Sequence, residues 1–185
     1  RDLHLSLRRQ RQMCIRDRAD VALTVTKEFI DKNFSAIHLS FLQIVVFRQS
    51  LINKLLGGPV DSCIIQIVCW HHLTSLLSDN LKNQDTEYIE ALDYWNNSFG
   101  QNFSSKKLTL TLLSELSGIP LETVRRRVIQ LERKNWIKYN AKTGVIYSPN
   151  EKNNKLIVEI IHEKEKDLQV IYLNSFEKSK SLLLQ

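Results

Sequence analysis

Cysteine, glycine and proline are scarce in this chain: three, five and three among 185 residues. Three cysteines, one of them Cys14 in an unusual leader, make no disulfide framework and point to a reducing compartment, so a cytoplasmic location is expected. So little Gly and Pro argues against a turn-rich β fold and for helices. No uninterrupted apolar run reaches the roughly 18 residues that span a bilayer. The greasiest stretch, Phe41 to Trp70, is broken by Arg48, Lys54 and Asp61, so no membrane partner is expected. P-loop, GxGxxG, GxSxG and HExxH motifs are absent. Cys69 and His72 lie three apart with His71 beside them, but a zinc site takes three or four ligands. Cys63 and Cys69 therefore read as small core residues. Neither metal, cofactor nor catalysis is expected.

What the chain does have is localised positive charge. The formal charge is +6. Residues 1–18 hold six Arg against two Asp, and residues 104–142 hold nine Lys/Arg against three Glu. The remainder is net acidic. A basic module in an otherwise acidic protein is the footprint of a polyanion binder. The leader RDLHLSLRRQRQMCIRDR is a separate matter. Its second half resembles translated sequencing-adapter text of the kind found at the ends of metagenomic gene models. That resemblance puts the native start near Arg18 or Ala19; a basic arm and a transit peptide are the alternatives.

Helical periodicity organises the rest. Asp20 to Phe34 reads as a helix. Ser40 reads as the cap of a second, carrying Phe41, Ile44, Val45, Phe47, Leu51, Ile52, Leu55 and Leu56, with Gly57-Gly58-Pro59 as its stop. Asp61 or Ser62 reads as the cap of a third, from Ile64 to Leu77. Both are apolar over most of their surface, which predicts burial in a core or against another subunit. Thr86 to Phe99 reads as a fourth helix and Asn96 to Ser105 as a polar linker. Trp70, Trp95 and Trp136 read as core aromatics. Asn153 to Phe176 reads as a long C-terminal helix.

Between them lies the most specific stretch, LTLTLLSELSGIPLETVRRRVIQLERKNWIKYNAKTGVIYSP, residues 108–149. Leu108 to Leu116 is a short helix. Gly118-Ile119-Pro120 is a turn in which Gly supplies a left-handed C-cap and Pro begins the next helix. Leu121 to Asn135 follows, with Val124, Val128 and Leu131 on one face at spacings of four and three. Glu122, Arg125, Arg126 and Ile129 then face outward, with Thr123 and Arg127 on the flanks. Ile137–Tyr139 and Val145–Tyr147 are β-prone, joined by a loop ending in Gly144.

LSELSGIPLETVRRRVIQLERKNWI resembles the DNA-binding half of winged helix-turn-helix bacterial regulators of the MarR and GntR type, over about a quarter of the chain. The resemblance implies a sequence-specific double-stranded DNA-binding transcriptional regulator, with helix 121–135 in the major groove and hairpin 137–147 as the wing on backbone or minor groove. By that match Leu121 enters the groove, Thr123 and Arg125 face bases, and Arg126 and Arg127 approach phosphates. Lys138 and Lys142 charge the wing. The chain departs from the pattern at Asn135, where such proteins place Gly; Asn tolerates the left-handed conformation. The expected fold is mainly α: leader 1–18, a helical region 19–103 for dimerisation or effector binding, a winged helix-turn-helix 104–150 with a small β-hairpin, and a C-terminal helix 151–185. The expected partners are double-stranded DNA and a second copy, with a small-molecule effector as a further candidate. The rival expectation is an adaptor whose basic face meets an acidic protein.

Overall fold

The structure, a computed structural model, describes residues 27–80, 88–100 and 107–181. The leader, residues 20–26 of the expected first helix, Thr86 and Glu87 of the expected fourth and the second half of the linker fall outside them. The described chain is mainly helical, with one two-stranded hairpin and a long C-terminal helix.

The first helix, α1 (Lys27–Lys32), breaks at Asn33, and α2 (Phe34–Leu55) follows at once. Ser40 does not cap α2. It lies inside the helix with its Oγ donating to the Ala36 carbonyl at 2.9 Å, since nothing between Phe34 and Ser40 breaks the helix and Ser is tolerated there by such a bond. Gly57 and Gly58 take φ of 90° and 106° and end the run as expected. The next helix, α3 (Pro59–Asn80), starts at its proline, two or three residues before the caps read from sequence. Asp61 and Ser62 sit inside its first turn. A fourth helix, α4 (Tyr88–Asn97), is followed by α5 (Leu110–Ser117) and α6 (Leu121–Arg133). Strands β1 (Ile137–Asn140) and β2 (Gly144–Tyr147) pair antiparallel, with Ile137 opposite Tyr147 and Asn140 opposite Gly144. The C-terminal helix begins as α7 (Glu151–Lys155), passes through a π-helical segment (Leu156–Ile161) and ends as α8 (His162–Ser181).

One buried cluster runs through α2 to α6, both strands and the π segment. It joins Ile52 of α2 and Leu56 just after it, Ile64, Ile65 and Val68 of α3, Leu113, Val124, Val128 and Leu131 of α5 and α6, Tyr147 of β2, and Ile157 and Ile161 of the π segment. The basic module is thus seated on the N-terminal helices rather than strung from them. Trp95 and Trp136 belong to this core, whereas Trp70 is half exposed, a correction to its expected role.

Burial in the chain's own core holds for α3, whereas α2 is left largely uncovered by the rest of the chain. Of α2's own residues only Ile37 and Ile52 are buried. Phe34, Leu39, Phe41, Leu42, Val45, Val46 and Phe47 are exposed. The sequence reading also asked for an uninterrupted apolar run and so passed over this helix. By length and composition, the 23 residues Phe34–Leu56 are enough to cross a membrane, because only Arg48 and Lys54 are charged. In this fold α1 and α2 lie antiparallel along α8: Phe29 of α1 stacks near Phe176, Phe41 of α2 lies near Tyr172, and Arg48 Nε donates to Glu165 Oε1 at 2.6 Å. Arg48 Nη1 also donates to Gln66 of α3, so one guanidinium stitches three helices.

Candidate nucleic-acid interface

The basic module is built by local chemistry. Thr109 caps α5, its Oγ1 accepting from the Leu112 N–H at 3.1 Å. Gly118 closes α5 in the left-handed conformation, φ 67°. Ser114 Oγ donates to the Ile119 carbonyl at 2.6 Å and Ser117 Oγ accepts from the Ile119 N–H, so the turn into α6 is pinned on both sides. Val124, Val128 and Leu131 are fully buried, which fixes which side of α6 looks outward. The C-terminal end of α6 turns through Asn135, whose φ of 56° shows Asn doing the work of glycine. Asn153 Nδ2 donates to the carbonyls of Lys134 and Asn135, both at 2.9 Å, so the C-terminal helix caps α6.

The hairpin is fastened to its neighbours as firmly. The Leu108 carbonyl accepts from the Val145 N–H at 2.8 Å, and the Tyr139 N–H donates to Glu132 Oε1 at 2.8 Å. In the loop, Asn140 Oδ1 accepts from the Lys142 N–H, an Asx turn that sets the tip.

These elements converge on a cleft of about 230 Å³ lined by Thr109, Leu110, Thr111, Leu121, Arg125, Tyr139, Ala141 and Gly144. The N-terminal end of α5, the N-terminal end of α6 and the hairpin each contribute a wall. Of the residues singled out in the sequence, Leu121 and Arg125 line this cleft. Arg125 Nη1 donates to Glu122 Oε1 at 2.6 Å across an exposed surface. Thr123 is half-buried on the flank. Arg126, Lys138 and Lys142 are exposed and, among the described residues, carry no ion pair.

Arg127 departs from the expectation. It turns from the outer face toward α3, with Nη1 at 3.4 Å from Asp61 Oδ1 and a hydrogen bond to Gln130 Oε1 at 3.2 Å. A buried carboxylate draws it in, as it draws Lys134 at 3.0 Å. Sequence reasoning missed this partner because Asp61 lies far away in the chain. It also missed Arg133, exposed at the end of α6 and without an ion pair among the described residues, and the wall residues Thr109, Thr111 and Tyr139. The position of Arg133 at outward helical spacing from Arg126 and Ile129 would have revealed it.

Behind the hairpin, His72 of α3 is buried against Trp95, Phe99 and Tyr147. Ser98 Oγ gives its single proton to the Trp95 carbonyl at 2.7 Å, so His72 Nε2, 2.8 Å away, is the donor to it. Burial, helped by nearby His71, lowers the His72 pKa to about 4. Cys63 and Cys69 are partly buried; burial raises both thiols, Cys69 to about 12, which makes them poor nucleophiles and poor metal ligands. Among the described residues no group of three or more His, Cys, Asp or Glu is placed to hold a metal ion. No protein-family model, no curated protein and no solved structure matches this chain.

Proposed function

We propose that the chain is a winged helix-turn-helix transcriptional regulator that binds double-stranded DNA in a sequence-dependent manner. The observation that carries this reading is the arrangement around α6. Its apolar face is fully seated, its outer face presents Arg125, Arg126 and Arg133, and a hairpin bearing Lys138 and Lys142 stands beside it. An α-helix fits the major groove, and a guanidinium pairs bidentately with guanine O6 and N7. Leu121, Thr123 and Arg125 sit at the N-terminal end of α6, from which such helices make base contacts. Arg126, Lys138 and Lys142 supply phosphate contacts, which give register and affinity without sequence information.

The same reading includes a cytoplasmic dimer, since one such helix reads only a few base pairs and two-fold pairing doubles the contacts. The outer face of α2 is the seam for it. Residues 34–47 contain no Asp, Glu, Lys or Arg. Phe34, Phe41 and Phe47 are each about half exposed, which is roughly 300 Å² of ring surface among the three. Leu39, Leu42, Val45 and Val46 extend the patch toward the roughly 800 Å² per partner of an ordinary interface. A self-complementary apolar helix face needs no charge to specify its partner.

The Glu122 carboxylate on Arg125 favours one rival, an adaptor that grips acidic protein surfaces in the same way. Selection of bound fragments from random duplex DNA, followed by isotherms at several salt concentrations with polyglutamate as competitor, separates the two. A regulator discriminates its selected duplex from others by on the order of 10³ or more. Equal binding to all duplexes, or preference for polyglutamate, defeats the DNA reading.

A further inference from the structure

Asp61 is an unusual charge. Its side chain is 1 % exposed, yet it belongs to the first turn of α3 and not to the basic module. Its Oδ2 accepts from Lys134 Nζ at 3.0 Å, while Arg127 Nη1 stands 3.4 Å from Oδ1 without the alignment of a hydrogen bond. The turn before α3 leaves space for this. A Cβ on Gly57 would lie 3.3 Å from Asp61 Oδ2 and 3.6 Å from Lys134 Nζ.

Ion pairs removed from water add little stability, because desolvation cancels most of the attraction; their attested use is to fix one arrangement among several. The arrangement fixed here is which cations of α6 face outward. Successive residues on a helix are about 100° apart, so Arg125, Arg126 and Arg127 fan across more than half its girth. Arg127 and Lys134 still reach solvent along their flanks, at 34 % and 51 % exposure, so both have room to swing out if released.

We propose that Asp61 is a positioning residue that withholds Arg127 and Lys134 from a bound polyanion. The proposal rests on the DNA-binding reading and adds the control of its specificity. A cation that meets phosphate strengthens binding to every sequence alike, whereas discrimination comes from base edges. Holding two cations back keeps the sequence-independent share of affinity small. It also fixes the roll of α6 about its axis, and with it the aim of Arg125.

The test uses the full chain carrying Asp61→Asn. The slope of log K against log salt on duplex DNA should steepen by about one to two ions. Binding to arbitrary duplexes should tighten more than binding to the selected duplex, and elution from heparin should move to higher salt. A structural role alone would weaken binding and leave the slope flat or reduced. A folded Asp61→Asn protein with unchanged slope and unchanged heparin elution overturns the proposal. Arg127→Gln provides the complementary measurement should Asp61→Asn fail to fold. A withheld Arg127 can be lost with no change in slope or heparin elution; a decrease of about one ion means that it already contacts phosphate, and the proposal falls. If the parent binds no duplex, the DNA reading fails, and heparin elution of the two variants still decides the role of Asp61.

Discussion

Gly144 lies against Leu108 so closely that a Cβ on it would sit 2.6 Å from the Leu108 carbonyl oxygen. That carbonyl also accepts from the Val145 N–H, so it cannot retreat without breaking a bond to the hairpin. Gly144 has φ of 83° as well. Gly144→Ala should therefore destabilise the protein by on the order of 1–3 kcal/mol. Asn135→Gly, at φ 56°, should be neutral or slightly stabilising. Denaturant midpoints of the two variants at neutral pH check the contrast; equal shifts would mean that the hairpin is not seated as described.

Arg125 and Lys142 should separate by phenotype. Arg125→Ala should lose about 1–3 kcal/mol on the preferred duplex and relax discrimination at one base pair. Lys142→Ala should weaken all duplexes about equally and reduce the salt slope by about one ion. Glu122→Gln, which frees Arg125 from its 2.6 Å ion pair, should tighten binding. Isotherms on a panel of base-substituted duplexes at several salt concentrations read all three.

His72 should make the fold acid-sensitive. Its pKa is about 4 in the folded chain and about 6.5 in the unfolded one, so between these values the unfolded state binds the extra proton. Stability is then full above pH 6.5 and falls as the pH is lowered toward 4. The loss amounts to roughly 2–3 kcal/mol. His162, lowered mainly by its own burial, acts in the same direction. His72→Gln should flatten, though not abolish, the dependence of the urea midpoint on pH between 7 and 4.5. An equally steep dependence in the variant would remove His72 from the account.

The proposed seam predicts that a charge on the outer face of α2 separates the subunits without unfolding them. Val46 is 60 % exposed, so Val46→Glu should disperse a dimer with little change in melting temperature. Ile160 and Ile161 show why the structure is needed to choose such variants: Ile160 is 44 % exposed and Ile161 only 3 %. Ile161→Glu should unfold the protein, whereas Ile160→Glu should not. Sedimentation and thermal melts measure both. A parent that sediments as a monomer at micromolar concentration ends the seam proposal.

The order of elements from Leu108 to Tyr147 was readable because each boundary is written in local chemistry: a threonine cap, a left-handed Gly118, a proline start and a Gly144 corner. The inward triad Val124, Val128 and Leu131 followed from spacing alone. What could not be read was contact at a distance. Nothing near Arg127 announces that Asp61 waits across the core, and nothing near Lys134 announces Asn153. The exposure of α2 was also hidden, since an apolar helix reads the same whether it is covered or bare. Ser40 misled because serine caps helices often and sits inside them less conspicuously.

The π-helical segment Leu156–Ile161 gives the C-terminal helix two independent phases. Before it, Asn153 meets the end of α6 and Asn154 accepts from Trp95 Nε1. After it, Tyr172 meets Phe41 of α2 and Phe176 meets Phe29 of α1. Each widened turn accommodates one residue beyond the α-helical count, so the segment absorbs a residue that would otherwise rotate the distal half by about 100° against the proximal half. The helix thus behaves as two keys cut on one shaft, and its length in this stretch is as constrained as any side chain in the core. A further insertion beyond the residue the π segment already absorbs would force a choice between capping α6 and embracing α2.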